Sequence, residues 1–108
     1  MKLVPLGDEE QAVLRHTIGI RCRKARYDMG LSQRALAKAM NRSPSWVREI
    51  ESGAQYAPAY LIRALATATG VSVAWFYGEE GVLDPKKLAE EILQAVRSDL
   101  QTSPVLPS

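Results

Sequence analysis

The sequence predicts an all-α fold: a compact bundle of five short helices with a further amphipathic helix appended towards the C-terminus. Three observations carry that prediction. Apolar residues recur at helical spacing along the chain, without the alternating runs of strands. Serine, asparagine, proline and glycine fall between the periodic stretches, where they start or stop a helix. The gaps between stretches are as short as the connections of helix bundles. With 108 residues, 46% hydrophobic and 24% charged, the chain suits one soluble domain rather than a multidomain enzyme.

Each element follows from its own residues. The first helix opens near Asp8, an N-cap followed by Glu9 and Glu10, and runs to about Met29 with Leu14, Ile18, Cys22, Ala25 and Met29 on one stripe. Gly30 stops it. Cys22 lies in mid-stripe, so a small buried hydrophobe is expected there rather than a nucleophile. Ser32 caps a second, short helix carrying Leu36, Ala37 and Met40, and Asn41, which tolerates positive φ, makes the turn. Ser43 and Pro44 start a third helix that reaches about Ser52 and ends at Gly53. Pro58 opens a fourth, to about Thr69, with Leu61, Ile62, Leu65 and Ala66 inward and Gly70 closing it. Ser72 caps a fifth through Trp75, Phe76 and Tyr77 before Gly78.

Charge is distributed unevenly. Between Arg15 and Arg48 nine basic residues face one acid, Asp28, whereas from Glu49 onward four basic residues face eight acids. A basic half beside an acidic one suits a domain that turns one face to phosphates. Other classes fall away. One cysteine and one histidine are too few for a disulfide or a protein-built zinc site, and no metal or other cofactor is expected. No paired acid and base or phosphate loop points to an enzyme. With no stretch that would span a bilayer and no signal-like N-terminus, a cytoplasmic protein without membrane contact is expected.

The second and third helices, short and joined by a tight turn, match the helix-turn-helix unit, whose second helix enters the DNA major groove. On the third helix, at about 100° per residue, Val47 and Ile50 define an inward side with Glu51 on its flank. Ser45, Glu49 and Ser52 point away, and Trp46 and Arg48 fall on the edges.

The stretch Ser32-Gln33-Arg34-Ala35-Leu36-Ala37, followed by Ser43, Val47, Ile50, Glu51 and Gly53, resembles the lambdoid phage repressor and Cro type of helix-turn-helix domain, the XRE-like family. Ile18, Cys22-Arg23, Arg26 and Gly30-Leu31 upstream, with Pro58 and Gly70 to Trp75 downstream, extend the likeness over about residues 18 to 78. The resemblance implies a five-helix repressor-like bundle. It implies that Pro44, Ser45, Trp46, Arg48 and Glu49 read bases, with Arg48 suited to guanine, Glu49 to a cytosine amino group and Trp46 to a thymine methyl. It assigns Gln33 to a phosphate and to support of the third helix, and it joins Arg26 to Glu51 in a structural ion pair. Arg34 and Lys38 are further phosphate candidates, the alternative being an ordinary solvated face. A second role for Trp46 is packing on its own domain or on a partner.

The chain departs from that family in places. Arg42 stands at a usually apolar position, so either its stem packs while the guanidinium reaches solvent or phosphate, or the turn is built differently. Residues 54 to 59 contain no lysine or arginine, which leaves backbone N–H groups, Gln55, Tyr56 or Tyr60 to meet phosphates there.

Further along, Asp84 and Pro85 start an amphipathic helix over residues 84 to 101, on which Leu88, Ile92, Val96 and Leu100 recur every fourth residue. The stripe folds back on the domain or pairs with a second copy. Dimerisation is favoured because two-fold dimers read palindromic operators. Residues 1 to 17 then extend the first helix, 18 to 78 form the DNA-binding domain, and 102 to 108 form a disordered tail. The expected function is a transcriptional regulator that binds double-stranded DNA in a sequence-specific way, a homodimeric repressor from a bacterium or phage. The alternative is a protein-interaction module, such as an antitoxin or adaptor, on the same bundle.

Overall fold

A computed structural model describes residues 2 to 79 and the isolated positions 90, 93, 94 and 97. The helix expected over 84 to 101, with all four of its candidate dimerisation residues Leu88, Ile92, Val96 and Leu100, and the tail from 102 lie outside the described residues, apart from positions 90, 93, 94 and 97. Through residue 79 the chain forms α1 (Asp8–Asp28), α2 (Gln33–Ala39), α3 (Pro44–Glu51), α4 (Ala59–Thr69) and α5 (Val73–Phe76). Among the described residues there is no strand, and no helix is long and apolar enough to cross a membrane.

The boundaries follow from local chemistry. Ser32, Ser43 and Ser72 each hold the first free N–H groups of the helix they precede, accepting from Ala35, Trp46 and Trp75 at 3.0, 3.3 and 3.2 Å. Two starts differ from the sequence expectation. Gly7, not Asp8, is the cap of α1, and Glu10 reaches back to accept from the Gly7 N–H at 3.3 Å. Asp8 instead joins Glu9 and Glu10 in the first turn, where acidic groups offset the positive end of the helix dipole. Pro58 caps α4 from extended backbone rather than occupying its first turn.

The core gathers around α1, which packs against α3, α4 and α5, while α2 packs on α3. Ile18, Cys22 and Ala25 of α1 meet Leu36, Val47, Ile50, Leu61, Ile62 and Leu65 in the interior. Phe76 is 0% exposed although its helix has four residues. Burial of such a side chain stabilises by about 1.5–3 kcal/mol, which anchors so short an element. Met29 leaves the predicted stripe and is 37% exposed, because α1 ends before it and the chain turns away at Gly30.

At Gly19 the backbones of α1 and α3 come together: a Cβ built there would lie 2.3 Å from the Ile50 carbonyl oxygen. Only glycine allows that approach. The same crossing is braced at its far end, where Gly53 has φ +82° and His16 lies over it, with Nδ1 2.6 Å from a notional Cβ. These contacts fix α3 against α1, and with it the side α3 turns outward.

Candidate nucleic-acid interface

Between α2 and α3 the chain reverses over four residues. Asn41 takes φ 57°, a conformation that its short polar side chain tolerates. The Arg42 N–H donates to the Ala37 carbonyl at 2.8 Å and closes the turn. Leu36 and Ala37 on α2 and Val47 and Ile50 on α3 bury the facing sides of the two helices. Ser45, Arg48, Glu49 and Ser52 are left on the exposed side of α3, with Pro44 partly covered.

The exposed side is pre-ordered by its own hydrogen bonds. Arg48 Nη2 donates to Ser45 Oγ at 2.9 Å, so the guanidinium lies along the first turn of α3. Gln55 Nε2 donates to Glu49 Oε2 at 2.7 Å, which leaves the second carboxylate oxygen as an outward acceptor. The result is a short polar ridge with donors towards its start and an acceptor towards its middle. Such a ridge fits the mixed donor and acceptor edges of base pairs in the major groove.

Trp46 sits differently. It is 7% exposed, so its ring does not project with Ser45 and Glu49 as a base-reading group would. Tyr60 of α4 stacks on it with ring centroids 6.2 Å apart and planes 6° from parallel. The Arg42 guanidinium carbon lies 4.7 Å from its ring centroid, and Arg42 Nη1 donates to the Tyr60 hydroxyl at 3.3 Å. The turn therefore holds the unusual arginine with its guanidinium over an aromatic ring while the residue as a whole stays exposed.

Beneath the ridge, Arg26 Nε and Nη2 donate to the two carboxylate oxygens of Glu51 at 2.7 and 2.9 Å, with both side chains buried. Arg26 Nη1 also donates to the Leu31 carbonyl at 2.9 Å. Gln33 Nε2 donates to Glu51 Oε1 at 3.1 Å, bringing α2 into the same network. Gln33 is partly exposed and its amide carries a second N–H. Cys22 lies in the neighbouring interior, its thiol pushed up to about 12 by burial and secondarily by the Glu51 charge. At neutral pH it is a protonated packing group rather than a nucleophile.

The basic run divides into two sets, which sequence reasoning separated only at Arg26. Arg15 Nε donates to the Gly53 carbonyl at 3.1 Å and lies against Tyr56, whose hydroxyl donates to the Gln11 carbonyl at 3.3 Å. Arg21 donates to the Trp75 carbonyl and covers its ring, Arg23 lies near the Tyr27 ring, and Lys24 pairs with Asp28 at 3.2 Å. Arg15 braces the loop after α3 and Arg21 ties α1 to α5, whereas Arg23 and Lys24 meet partners within α1. Arg34 and Lys38 of α2 are exposed and flank a shallow depression that continues past Asn41 to Arg42 and Pro44. The signal that could have separated the two sets is the aromatic residue each α1 arginine meets, at Tyr27, Tyr56 and Trp75.

Comparison with known families matches residues 17 to 76 to a family described as a helix-turn-helix domain. No curated protein and no solved structure matches the chain. The matched segment covers more than half of the sequence and contains the capped α2, the αL turn, the outward ridge of α3 and the network under it. The chain belongs to this helix-turn-helix domain family.

Proposed function

We propose that this protein is a transcriptional regulator that binds double-stranded DNA in a sequence-specific way, a homodimeric repressor of the lambdoid repressor and Cro type. The observation that carries the proposal is the ridge of Ser45, Arg48 and Glu49, exposed on a helix anchored from below by Val47, Ile50 and Glu51. Laid in the major groove, Arg48 reaches guanine O6 and N7, Glu49 accepts from a cytosine amino group, and Ser45 serves either. Arg34, Lys38 and the second amide N–H of Gln33 take backbone phosphates on one side, which sets the register of α3. Two copies related by a two-fold axis read an inverted repeat with half-sites about 34 Å apart. Occupancy of the operator then excludes polymerase. The protein acts by binding rather than catalysis, and the cytoplasm is where its DNA lies.

Selection of bound duplexes from a random pool, at about 0.15 M salt where non-specific binding is weak, tests this function. An enriched inverted repeat supports it. Absence of enrichment favours a protein-interaction module instead, for which the exposed Leu3, Val4, Leu6 and Val13 offer apolar contacts.

A further inference from the structure

We propose that Arg42, Trp46 and Tyr60 form one pre-organised phosphate clamp, in which Arg42 and the Tyr60 hydroxyl bind the phosphate and Trp46 positions both. The proposal rests on the DNA-binding function above and assigns Trp46 a role other than base reading.

Three contacts join these residues across two elements and the turn between α2 and α3. Trp46 and Tyr60 are stacked nearly parallel. The Arg42 guanidinium lies against the Trp46 ring, 4.7 Å from its centroid. Arg42 Nη1 donates to Tyr60 Oη at 3.3 Å. The burial pattern is what a clamp needs, because Trp46 is 7% exposed whereas Tyr60 is 49% exposed and Arg42 is also exposed. A buried ring fixes the position of two exposed polar groups.

The proton inventory then suits an acceptor such as a phosphate oxygen. The Tyr60 oxygen accepts from Arg42, so its own hydrogen is left to donate elsewhere. Arg42 uses one of its five N–H groups on Tyr60 and keeps others outward. The hydrogens of the pair that remain are donors, which fit a phosphate oxygen, and the position of Arg42 in the turn, off the outward ridge of α3, favours the backbone over a guanine edge. An arginine held on an aromatic face has already lost much of the rotamer freedom that phosphate binding would otherwise remove. Placement agrees with this. Arg42 follows Asn41 directly and shares the surface depression with Arg34 and Lys38, so the three cations line one path beside the start of α3. Residues 54 to 59 contain no lysine or arginine, and Gln55 donates to Glu49 and the Tyr56 hydroxyl to the Gln11 carbonyl, which leaves the Tyr60 hydroxyl, beside the backbone N–H groups, to meet a phosphate there.

The test measures affinity for the selected duplex as a function of salt, using the full chain and variants at the two exposed positions. Arg42→Met keeps the stem and is expected to weaken binding about tenfold or more and to reduce the salt slope by about one phosphate equivalent. Arg42→Lys is expected to retain the slope while losing affinity, since an ammonium has no planar fork to lie on the ring. Tyr60→Phe keeps the stack and is expected to weaken binding several-fold in the wild-type background and hardly at all beside Arg42→Met. A readout that does not depend on DNA comes from Trp46 fluorescence in a Trp75→Phe background, where Arg42→Met should change the emission if the guanidinium covers the ring. Duplex binding with an unchanged slope in Arg42→Met, or equal losses from Tyr60→Phe in both backgrounds, overturns the clamp and leaves the DNA-binding function standing. A wild-type chain that binds no duplex overturns both.

Discussion

Arg26 and Glu51 meet through two parallel hydrogen bonds of 2.7 and 2.9 Å in the interior, and each is committed further, Arg26 to the Leu31 carbonyl and Glu51 to Gln33. One ion pair thus ties α1 to the last turn of α3, to the start of α2 and to the turn between α1 and α2. Its geometry is bidentate and its remaining groups are paired, the condition under which a buried pair offsets its desolvation. The exposed ridge of α3 takes its orientation from this network.

Glu51→Gln is expected to destabilise the fold by about 3–5 kcal/mol, because it leaves a buried guanidinium without its counter-charge. In a domain of this size that is a fall in melting temperature on the order of 15 °C. Thermal unfolding checks it, and a loss under about 1 kcal/mol would show that the pair does not hold α1 to α3. The double variant Arg26→Met with Glu51→Leu is expected to recover much of the loss, since apolar replacement of a whole buried pair is often nearly neutral.

Cys22 gives a pH dependence of definite sign. Its thiol is raised from 9.0 to about 12 by burial and then by Glu51. Between those values the unfolded chain releases a proton that the folded chain keeps, so stability is full below about pH 9 and falls as pH rises towards 12. Denaturant unfolding at pH values of about 8 and 10, on either side of the unfolded thiol's range, should show a larger loss for the wild type than for Cys22→Ala. An equal loss in the two proteins would rule out the thiol as the cause.

Gly19→Ala is expected to cost about 1–3 kcal/mol by overpacking, although alanine is the better helix former. The added methyl would stand 2.3 Å from the Ile50 carbonyl oxygen, and that neighbour is backbone. Denaturant midpoints of the two proteins decide it. A more stable Gly19→Ala would mean that α1 and α3 separate without loss.

On DNA, Arg48→Ala and Gln33→Ala are expected to behave differently. Loss of a bidentate guanine contact costs about 1–3 kcal/mol and relaxes preference at one base position. Gln33→Ala should weaken binding to every sequence by a similar factor, because the partner proposed for it is a phosphate, and it also removes the hydrogen bond to Glu51. Affinity for a panel of single-base operator variants separates the two patterns.

The helices were legible in the chain because their determinants are local. Ser32, Ser43 and Ser72 cap the helices that follow them, and positive φ falls at Asn41, whose short polar side chain tolerates it, and at Gly53, which has no Cβ. The inward faces of α2, α3 and α4 follow from spacing alone, since a helix places every third or fourth residue on one side. The pairing of Arg26 with Glu51 came from the family resemblance, and the structure contains it.

What the tertiary structure decided is which groups a second element covers. A helical wheel gives a side chain's direction from its own axis and says nothing of the neighbour beyond it. Trp46 stood at the edge of the outward face by angle, and Tyr60 of α4 together with Arg42 made it buried. Apart from Arg26 the basic run looked uniform along the sequence, yet Arg15 and Arg21 turn to the Gly53 and Trp75 carbonyls, 38 and 54 residues away, while Arg34 and Lys38 stay exposed. By itself the sequence determined the helices and their polarity. The docking of α1 across α3 and of α4 beside the turn decided which charges face outward, because burial depends on contacts between residues far apart in the chain.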